Sequence, residues 1–116
     1  MSSCSPARAV LACFTEVAKA LAHEHRLELL EHLGQGERSV ERLAAVAGLS
    51  VANASQHLQH LRRAGLVATR REGKRVFYRL ADEGVVDLLT VLRRLAERNV
   101  GEMERLLASY FRARVA

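Results

Sequence analysis

Two short amphipathic segments joined by the tight turn Gly48-Leu49-Ser50 constrain the fold of this chain more than any other feature. Ser39 precedes the first segment and Ser50 precedes the second. Serine is a preferred residue before a helix because its hydroxyl accepts a hydrogen bond from a free N–H of the first turn. In the second segment the apolar residues recur at intervals of four and three, at Ala54, Leu58 and Leu61. Helix, short glycine-containing turn and helix form a helix-turn-helix, which we predict over residues 39–64.

Residues 66–80 distinguish this pattern from the alternative interpretation, two packed helices of an all-α bundle. Apolar and polar residues alternate on both sides of Glu72-Gly73-Lys74. The alternating positions are Val67 and Thr69, then Val76, Tyr78 and Leu80. Such alternation around a glycine predicts a β-hairpin. A basic hairpin directly after a helix-turn-helix is a wing, so we predict a winged helix-turn-helix with a β-wing over residues 66–80.

Helical spacing of apolar residues predicts three further helices, over about residues 6–21, 24–33 and 82–112. Ser5-Pro6 begins the first, because proline suits the first helical position. Asp82-Glu83 begins the last, because acids suit the positive end of the helix dipole. A chain of 116 residues has the length of one domain. We therefore expect a single domain, 1–116, mainly α with a small β-wing, in the order α-α-α-α-β-β-α.

The last predicted helix carries an apolar stripe that is longer than a domain of this size can cover alone. Its steps are three and four, with Asn99 at one intermediate position, and its members are Val85, Leu89, Leu92, Ala96, Met103, Leu106 and Tyr110. We expect this stripe and Phe14, on the apolar face of the first helix, to form the interface of a twofold homodimer. The alternative is that the whole stripe is buried within one chain.

Composition and motifs argue against several classes of protein. The sequence lacks the run of about 18 apolar residues that predicts a membrane span. It also lacks the charged segment followed by an apolar one that predicts a secretory signal. The 2 cysteines are too few for a disulfide scaffold, which favours a cytoplasmic protein without a membrane partner. No nucleophile–base pair or pair of acids points to an enzyme, and nothing points to a cofactor.

The distribution of charge favours nucleic acid as a partner. The net charge is +5, and 16 of the 18 cations are arginine, which suits bidentate contacts with phosphates and bases. Residues 50–80 contain seven cations and a single acid, Glu72. A charge run is usually a solvated face, but this one coincides with the second helix of the helix-turn-helix and with the wing. We therefore expect the partner to be double-stranded DNA.

Helical geometry selects the side chains that can contact DNA. The outward positions near the start of the second helix are Ala52, Ser55, Gln56 and Gln59, and this half of a recognition helix enters the major groove. Glutamine pairs with adenine, serine bonds to several bases, and alanine contacts the thymine methyl, so we expect Gln56 and Gln59 to read sequence. Ser50 is expected to cap the helix and to contact a phosphate. The phosphate candidates are Arg62, Arg63, Arg70, Arg71, Lys74 and Arg75, and the last two can also enter the minor groove.

These elements resemble the ArsR/SmtB transcriptional repressors. The resemblance rests on Leu49–Val67, with its Ser-Gln-His-Leu and Ala-Gly-Leu-Val pieces, on the wing Arg70–Leu80 and on Ala22–Leu30. It covers about residues 10–112 and implies a homodimer that represses transcription from a palindromic operator until an inducer, often a metal or a thiol-reactive agent, releases it. The stretch from His23 to Phe111 also resembles the regulator module that precedes a rhodanese domain in some members, which points to sulfur or oxyanion metabolism.

The sequence departs from the family's sensing patterns. The third helix, Val40 to Val46, lacks the Cys-x-Cys of metal-sensing members, and the last helix contains no His or Cys. We therefore expect no metal site of either common type. His57 and His60 form only a weak pair of possible ligands, and the cysteine pair of persulfide-sensing members is also absent. A metal- or arsenite-responsive repressor with an atypical site remains an alternative.

Cys4 and Cys13 remain as candidates for sensing. Nine helical residues span about 10–13 Å, whereas a disulfide needs Cα atoms within roughly 7 Å. A bond within one chain therefore requires the N-terminus to fold back, while pairing between the two subunits stays open. Cys4, just outside a helix N-terminus, suits a reactive thiol. Thiol or reactive-sulfur sensing is our hypothesis. Two inert cysteines, or a dimerisation module that does not bind DNA, are the alternatives.

Overall fold

The computed structural model describes residues 5–115, which fall into two compact units that meet in sequence between Val85 and Val86. In chain order the elements are α1 (Pro6–Leu21), α2 (Glu24–Leu33), β1 (Arg38–Ser39), α3 (Val40–Ala47), α4 (Val51–Arg63), β2 (Val67–Glu72), β3 (Arg75–Leu80) and α5 (Glu83–Val115). The mainly helical winged fold is confirmed, with β1 as an addition. Among the described residues, none of the helices combines the length and the apolar character that a membrane span requires.

The turn between α3 and α4 is fixed by hydrogen bonds at both of its ends. At the end of α3 the Leu49 N–H donates to the Ala44 carbonyl at 2.9 Å, while Gly48 adopts the left-handed conformation with φ +67°. This is the arrangement of a Schellman C-cap, in which glycine avoids the steric cost of a Cβ. At the start of α4 the Ser50 hydroxyl accepts a hydrogen bond from the Asn53 N–H at 3.1 Å. The chain therefore leaves one helix and enters the next within three residues.

The wing is a three-stranded antiparallel sheet in which β3 lies between β1 and β2. At its tip Glu72 is paired with Arg75, and Gly73 has φ +62°, the sign that the first central residue of a type II′ turn requires. The added strand β1 pairs with residues 77–78 of β3. A strand of two residues contains no alternation to read, so the sequence pattern does not predict it.

The core of the first unit is built mainly from leucines. The largest fully buried side chains are Leu29, Leu30, Leu43, Leu58 and Leu61, which come from α2, α3 and α4. The predicted inward face of α4, with Ala54 beside Leu58 and Leu61, is confirmed because none of these three is accessible. A helix whose inner face is fixed in this way also has a fixed outer face.

Helix α5 contains 33 residues and is therefore roughly 50 Å long at 1.5 Å per residue. It is preceded by Asp82, whose Oδ1 accepts a hydrogen bond from the Gly84 N–H at 2.6 Å. Two members of the predicted interface, Val85 and Leu89, are buried within the chain, at 6% and 7% exposure. The other predicted members on this helix, from Leu92 onward, are exposed, and the interface itself stays a prediction.

Candidate nucleic-acid interface

The outer face of α4 carries the polar residues that the sequence predicts for base contacts. Ala52, Gln56 and Gln59 are exposed, and Ser55 is half-buried. The Gln59 amide nitrogen lies 3.4 Å from the Ser55 hydroxyl oxygen, a long hydrogen bond that a base can replace. Ser50 is exposed at the helix start, and its hydroxyl is engaged as the N-cap described above. This face can present amides, a hydroxyl and a methyl group to a groove of DNA.

A groove of about 410 Å³ lies between α4 and the wing. It is lined by Val40, Ser55, Gln59, Arg62, Thr69, Arg70, Arg71, Val76 and Tyr78. Tyr78 is buried, and burial raises the pKa of its hydroxyl above the ordinary value, so the hydroxyl stays neutral. The groove thus brings two predicted base-contacting residues next to three arginines that the sequence separates by up to 16 positions.

The predicted phosphate contacts other than Arg70 lie on exposed positions at two places. Arg62 and Arg63 are exposed at the end of α4, while Arg71, Lys74 and Arg75 are exposed around the tip of the wing. Exposed cations at both the recognition helix and the wing can contact the phosphates that flank one groove. The structure therefore keeps the predicted set on one unit of the chain.

Arg70, also predicted as a phosphate contact, is engaged with acids of the protein. Its Nε and Nη2 atoms lie 2.8 and 2.7 Å from Oε1 of Glu37, and its Nη1 atom lies 2.7 Å from Oε2 of Glu72. Its guanidinium carbon lies 4.6 Å from the centre of the Phe77 ring. The hydrogen bond from Arg70 lowers the pKa of Glu37, and the two carboxylates raise the pKa of Arg70. Sequence reasoning missed Glu37, since it stands 33 residues before Arg70.

His57 on α4 lies close to His23 and His25 at the start of α2, more than 30 residues earlier in the sequence. The ring centres of His23 and His57 are 4.5 Å apart, and His25 lies 5.9 Å from His57. Arg26 places Nη1 3.4 Å from His57 Nδ1 and donates to the Ala20 carbonyl at 2.7 Å. Burial, followed by the nearby histidines and Arg26, lowers the pKa of His57. Within residues 5–115 no group of three or more His, Cys, Asp or Glu side chains has a metal-binding arrangement.

Of the two candidate sensing cysteines, the structure describes Cys13. Cys13 lies on α1 as an exposed free thiol, beside Phe14, which is 64% exposed. Cys4 lies outside the described residues. The geometry of a pair formed by these two thiols therefore stays a prediction.

Comparison with known proteins identifies the family. A family model described as a helix-turn-helix domain matches residues 21–70. The HTH-type transcriptional regulator Rv0324 of Mycobacterium tuberculosis is 41% identical over 95 residues, which cover 82% of this chain and 42% of that protein. This chain thus spans less than half the length of that relative. The biofilm growth-associated repressor of Agrobacterium fabrum is 48% identical over 81 residues, which cover 67% of this chain and 69% of the repressor.

A solved structure agrees with both matches. The homodimeric winged helix-turn-helix DNA-binding domain Mb0332 from Mycobacterium bovis, described as a possible ArsR-family transcriptional regulator, superimposes with a TM-score of 0.75 and 42% sequence identity. The match covers 84% of this chain and 91% of that domain. These relatives are transcriptional regulators and not enzymes. The chain therefore belongs to the ArsR family of winged helix-turn-helix transcriptional regulators.

Proposed function

We propose that this chain is a homodimeric repressor that binds a palindromic operator through α4 and the wing and is released when an inducer reacts with its cysteine thiols. The observation that carries the DNA-binding part is the groove between α4 and the wing, where Gln59 and Ser55 stand next to Arg62 and Arg71. A base-reading face bordered by phosphate-binding cations is what an operator-binding surface requires.

Each predicted DNA contact has a distinct role in this proposal. Gln56 and Gln59 read base edges in the major groove, with Ser55 and Ala52 as lesser contacts. Ser50 caps α4 and meets a phosphate. The contacts that hold the DNA backbone are Arg62, Arg63, Arg71, Lys74 and Arg75. Lys74 and Arg75 also reach the minor groove, because they lie at the wing tip.

The dimer in this proposal forms through α1 and α5, with the whole chain acting as one winged domain. Large apolar side chains are exposed on both helices, including Phe14, Met103, Leu106 and Tyr110. Exposed apolar surface on this scale marks an interface, and the Mycobacterium bovis relative is described as homodimeric. The exposed set extends beyond the predicted stripe and includes Leu95, Val100, Leu107 and Phe111. A twofold dimer presents two recognition helices, so its operator has to be a palindrome.

The sensing part of the proposal rests on Cys13, because an exposed thiol is open to oxidants and reactive sulfur. Cys4 is its proposed partner, in the same chain or across the dimer. A metal- or arsenite-responsive site built from other residues is the competing proposal. The likeness to rhodanese-linked modules supports reactive sulfur as the class of inducer.

DNA binding with and without candidate inducers tests the whole proposal. Labelled DNA from upstream of the protein's own gene is titrated by fluorescence anisotropy, alone and with an oxidant, polysulfide, arsenite or zinc. We expect salt-dependent binding by the wild type, with release by oxidant or polysulfide. The variant carrying Cys4→Ser and Cys13→Ser is expected to bind equally well and to resist release, because serine keeps the side-chain size but not the thiol.

The other outcomes each contradict a stated part of the proposal. Unchanged release of the double-serine variant would remove the thiol hypothesis, and release by zinc or arsenite alone would favour the metal alternative. A wild-type protein that dimerises but retards no promoter DNA would favour the dimerisation module.

A further inference from the structure

The Glu37–Arg70 contact joins the residue before β1 to strand β2 of the wing. It occupies a cation that a DNA-binding surface could otherwise use to bind a phosphate. Glu37 lies just before β1, and Arg70 lies in the middle of β2. The Glu37 side chain is 29% exposed, whereas the side chain of Glu72, the second acid that contacts Arg70, is 67% exposed. The contact is therefore the more enclosed half of a three-residue network.

The geometry of this network occupies the binding edge of the guanidinium. Nε and Nη2 form the edge with which arginine grips a phosphate or carboxylate, and both atoms lie within 2.8 Å of Glu37 Oε1. Nη1 is held by Glu72, and the flat face stacks over Phe77. Isolated surface ion pairs contribute little, but networks with good geometry hold their members in place. Two edges and one face of the Arg70 guanidinium are therefore occupied by groups of the protein itself.

A phosphate that approaches Arg70 has to displace a carboxylate from the same atoms. Arg70 lines the groove together with Arg62 and Arg71, so its position suits a phosphate contact although its binding edge is occupied. Resting on the proposed DNA binding, we propose that Glu37 is a positioning residue that withholds Arg70 from the DNA backbone. It thereby limits sequence-independent affinity, so that binding depends on the base contacts of α4.

Glu37→Gln tests this role through the salt dependence of binding. One additional phosphate contact steepens the slope of log affinity against log salt by about 0.9. Between about 50 and 200 mM salt this corresponds to a further loss of about 3.5-fold in affinity. We expect Glu37→Gln to show this steeper slope on non-specific DNA, with higher affinity at low salt, and a lower ratio of specific to non-specific affinity.

Three further variants separate this effect from a general change in charge or in fold. Glu41→Gln removes the same charge from an exposed position in the first turn of α3 and is expected to leave the slope near that of the wild type. Glu37→Asp keeps the carboxylate and is expected to retain most of the wild-type slope. Combining Glu37→Gln with Arg70→Gln is expected to remove the gain, because the freed cation is then absent. Thermal unfolding of each variant reports on the fold.

Several results would overturn the inference. A Glu37→Gln protein with the wild-type slope on both DNAs would overturn it, whether or not its melting temperature falls, because the contact would then serve the fold alone. A gain that persists without Arg70, or that Glu41→Gln reproduces, would do the same. A wild-type protein that binds no DNA would overturn the proposed function itself, and this inference with it.

Discussion

At the scale of single residues, the proposed function assigns base reading to Gln59 on α4 and backbone binding to Arg75 on the wing. Gln59→Ala removes an amide that can bond to adenine, and we expect it to reduce discrimination between operator and altered operator by about 1–3 kcal/mol. Arg75→Ala, at the wing tip, is the matched comparison. It is expected to weaken binding to all DNA about equally and to flatten the salt slope by about 0.9. Titration of operator and scrambled DNA checks both variants, and equal losses on the two DNAs for Gln59→Ala would contradict the base-reading role.

The environment of His57 in the histidine cluster predicts how the stability of the fold depends on pH. Burial, aided by His23 and Arg26, lowers the pKa of His57 below its ordinary value of 6.5. The unfolded chain therefore binds this proton more readily than the folded chain. Neutral His57 therefore stabilises the folded state fully at pH values above the pKa that His57 has in the unfolded chain. The free energy of unfolding falls as the pH drops toward the lower pKa that His57 has in the folded chain. Urea unfolding of the protein without DNA should show lower stability at about pH 5.5 than at about pH 7.5.

His57→Gln provides the control for this pH effect, because it keeps a polar side chain without the titrating ring. We expect the variant to lose less stability than the wild type over the same pH interval. A variant that loses as much would show that other groups cause the fall.

Residue identity and spacing predict much of the site, but they do not predict which of its cations are bound by carboxylates of the protein. The inward positions Ala54, Leu58 and Leu61 follow from helical periodicity, and their burial is confirmed. Arg70 and Lys74 are both exposed wing cations that the sequence predicts as phosphate contacts, yet Arg70 is held by two carboxylates. The contact with Glu37 spans 33 residues, and no local pattern encodes a pairing of that range.

At the scale of elements, two serine caps of the same kind allow a matched comparison. Ser39 and Ser50 each accept a hydrogen bond from the N–H three residues later, at 3.2 and 3.1 Å. Replacement of either by alanine should cost about 1 kcal/mol of stability, measured by urea unfolding. Only Ser50→Ala should also weaken operator binding beyond what its stability change explains, since Ser50 begins the recognition helix. Equal operator affinities for the two variants would contradict a phosphate contact by Ser50.

The predictability of an element follows from how many residues carry its pattern. Helix α4 has a cap, a buried triad and a preceding glycine turn, so its placement follows from local chemistry. Strand β1 has two residues and depends on β3 for its hydrogen bonds, so its existence is decided by tertiary pairing. The stripe of α5 shows the same limit, because periodicity cannot tell the buried Val85 and Leu89 from exposed residues further along.

At the scale of the whole molecule, the proposed dimer depends on exposed apolar residues of α5. Leu106 is 66% exposed, and a charge there would be desolvated in an interface. We expect Leu106→Glu to shift the protein to monomer at micromolar concentration and to abolish tight operator binding. Arg105→Glu, which adds an acid at an exposed neighbouring position of the same helix, is expected to stay dimeric. Sedimentation equilibrium checks both variants, and a wild type that is monomeric at micromolar concentration would defeat the dimer.

The net charge of +5 describes the molecule less well than its distribution does. Seven cations and one acid lie within residues 50–80, while the remaining segments are close to neutral. Charge placement thus predicts which face meets DNA. It carries no information about the inducer, since a reactive thiol is distinguished by its neighbours and accessibility and not by net charge.

Comparison of the promoter palindrome with a scrambled duplex tests whether the chain binds an operator as a sequence-specific dimer. Affinity and stoichiometry are measured together, by titration at several salt concentrations. We predict two chains on each palindrome, affinity that falls steeply with salt, and a preference over the scrambled duplex of at least about 10³-fold. Equal affinity for the two duplexes, or one chain bound to each palindrome, would contradict this prediction.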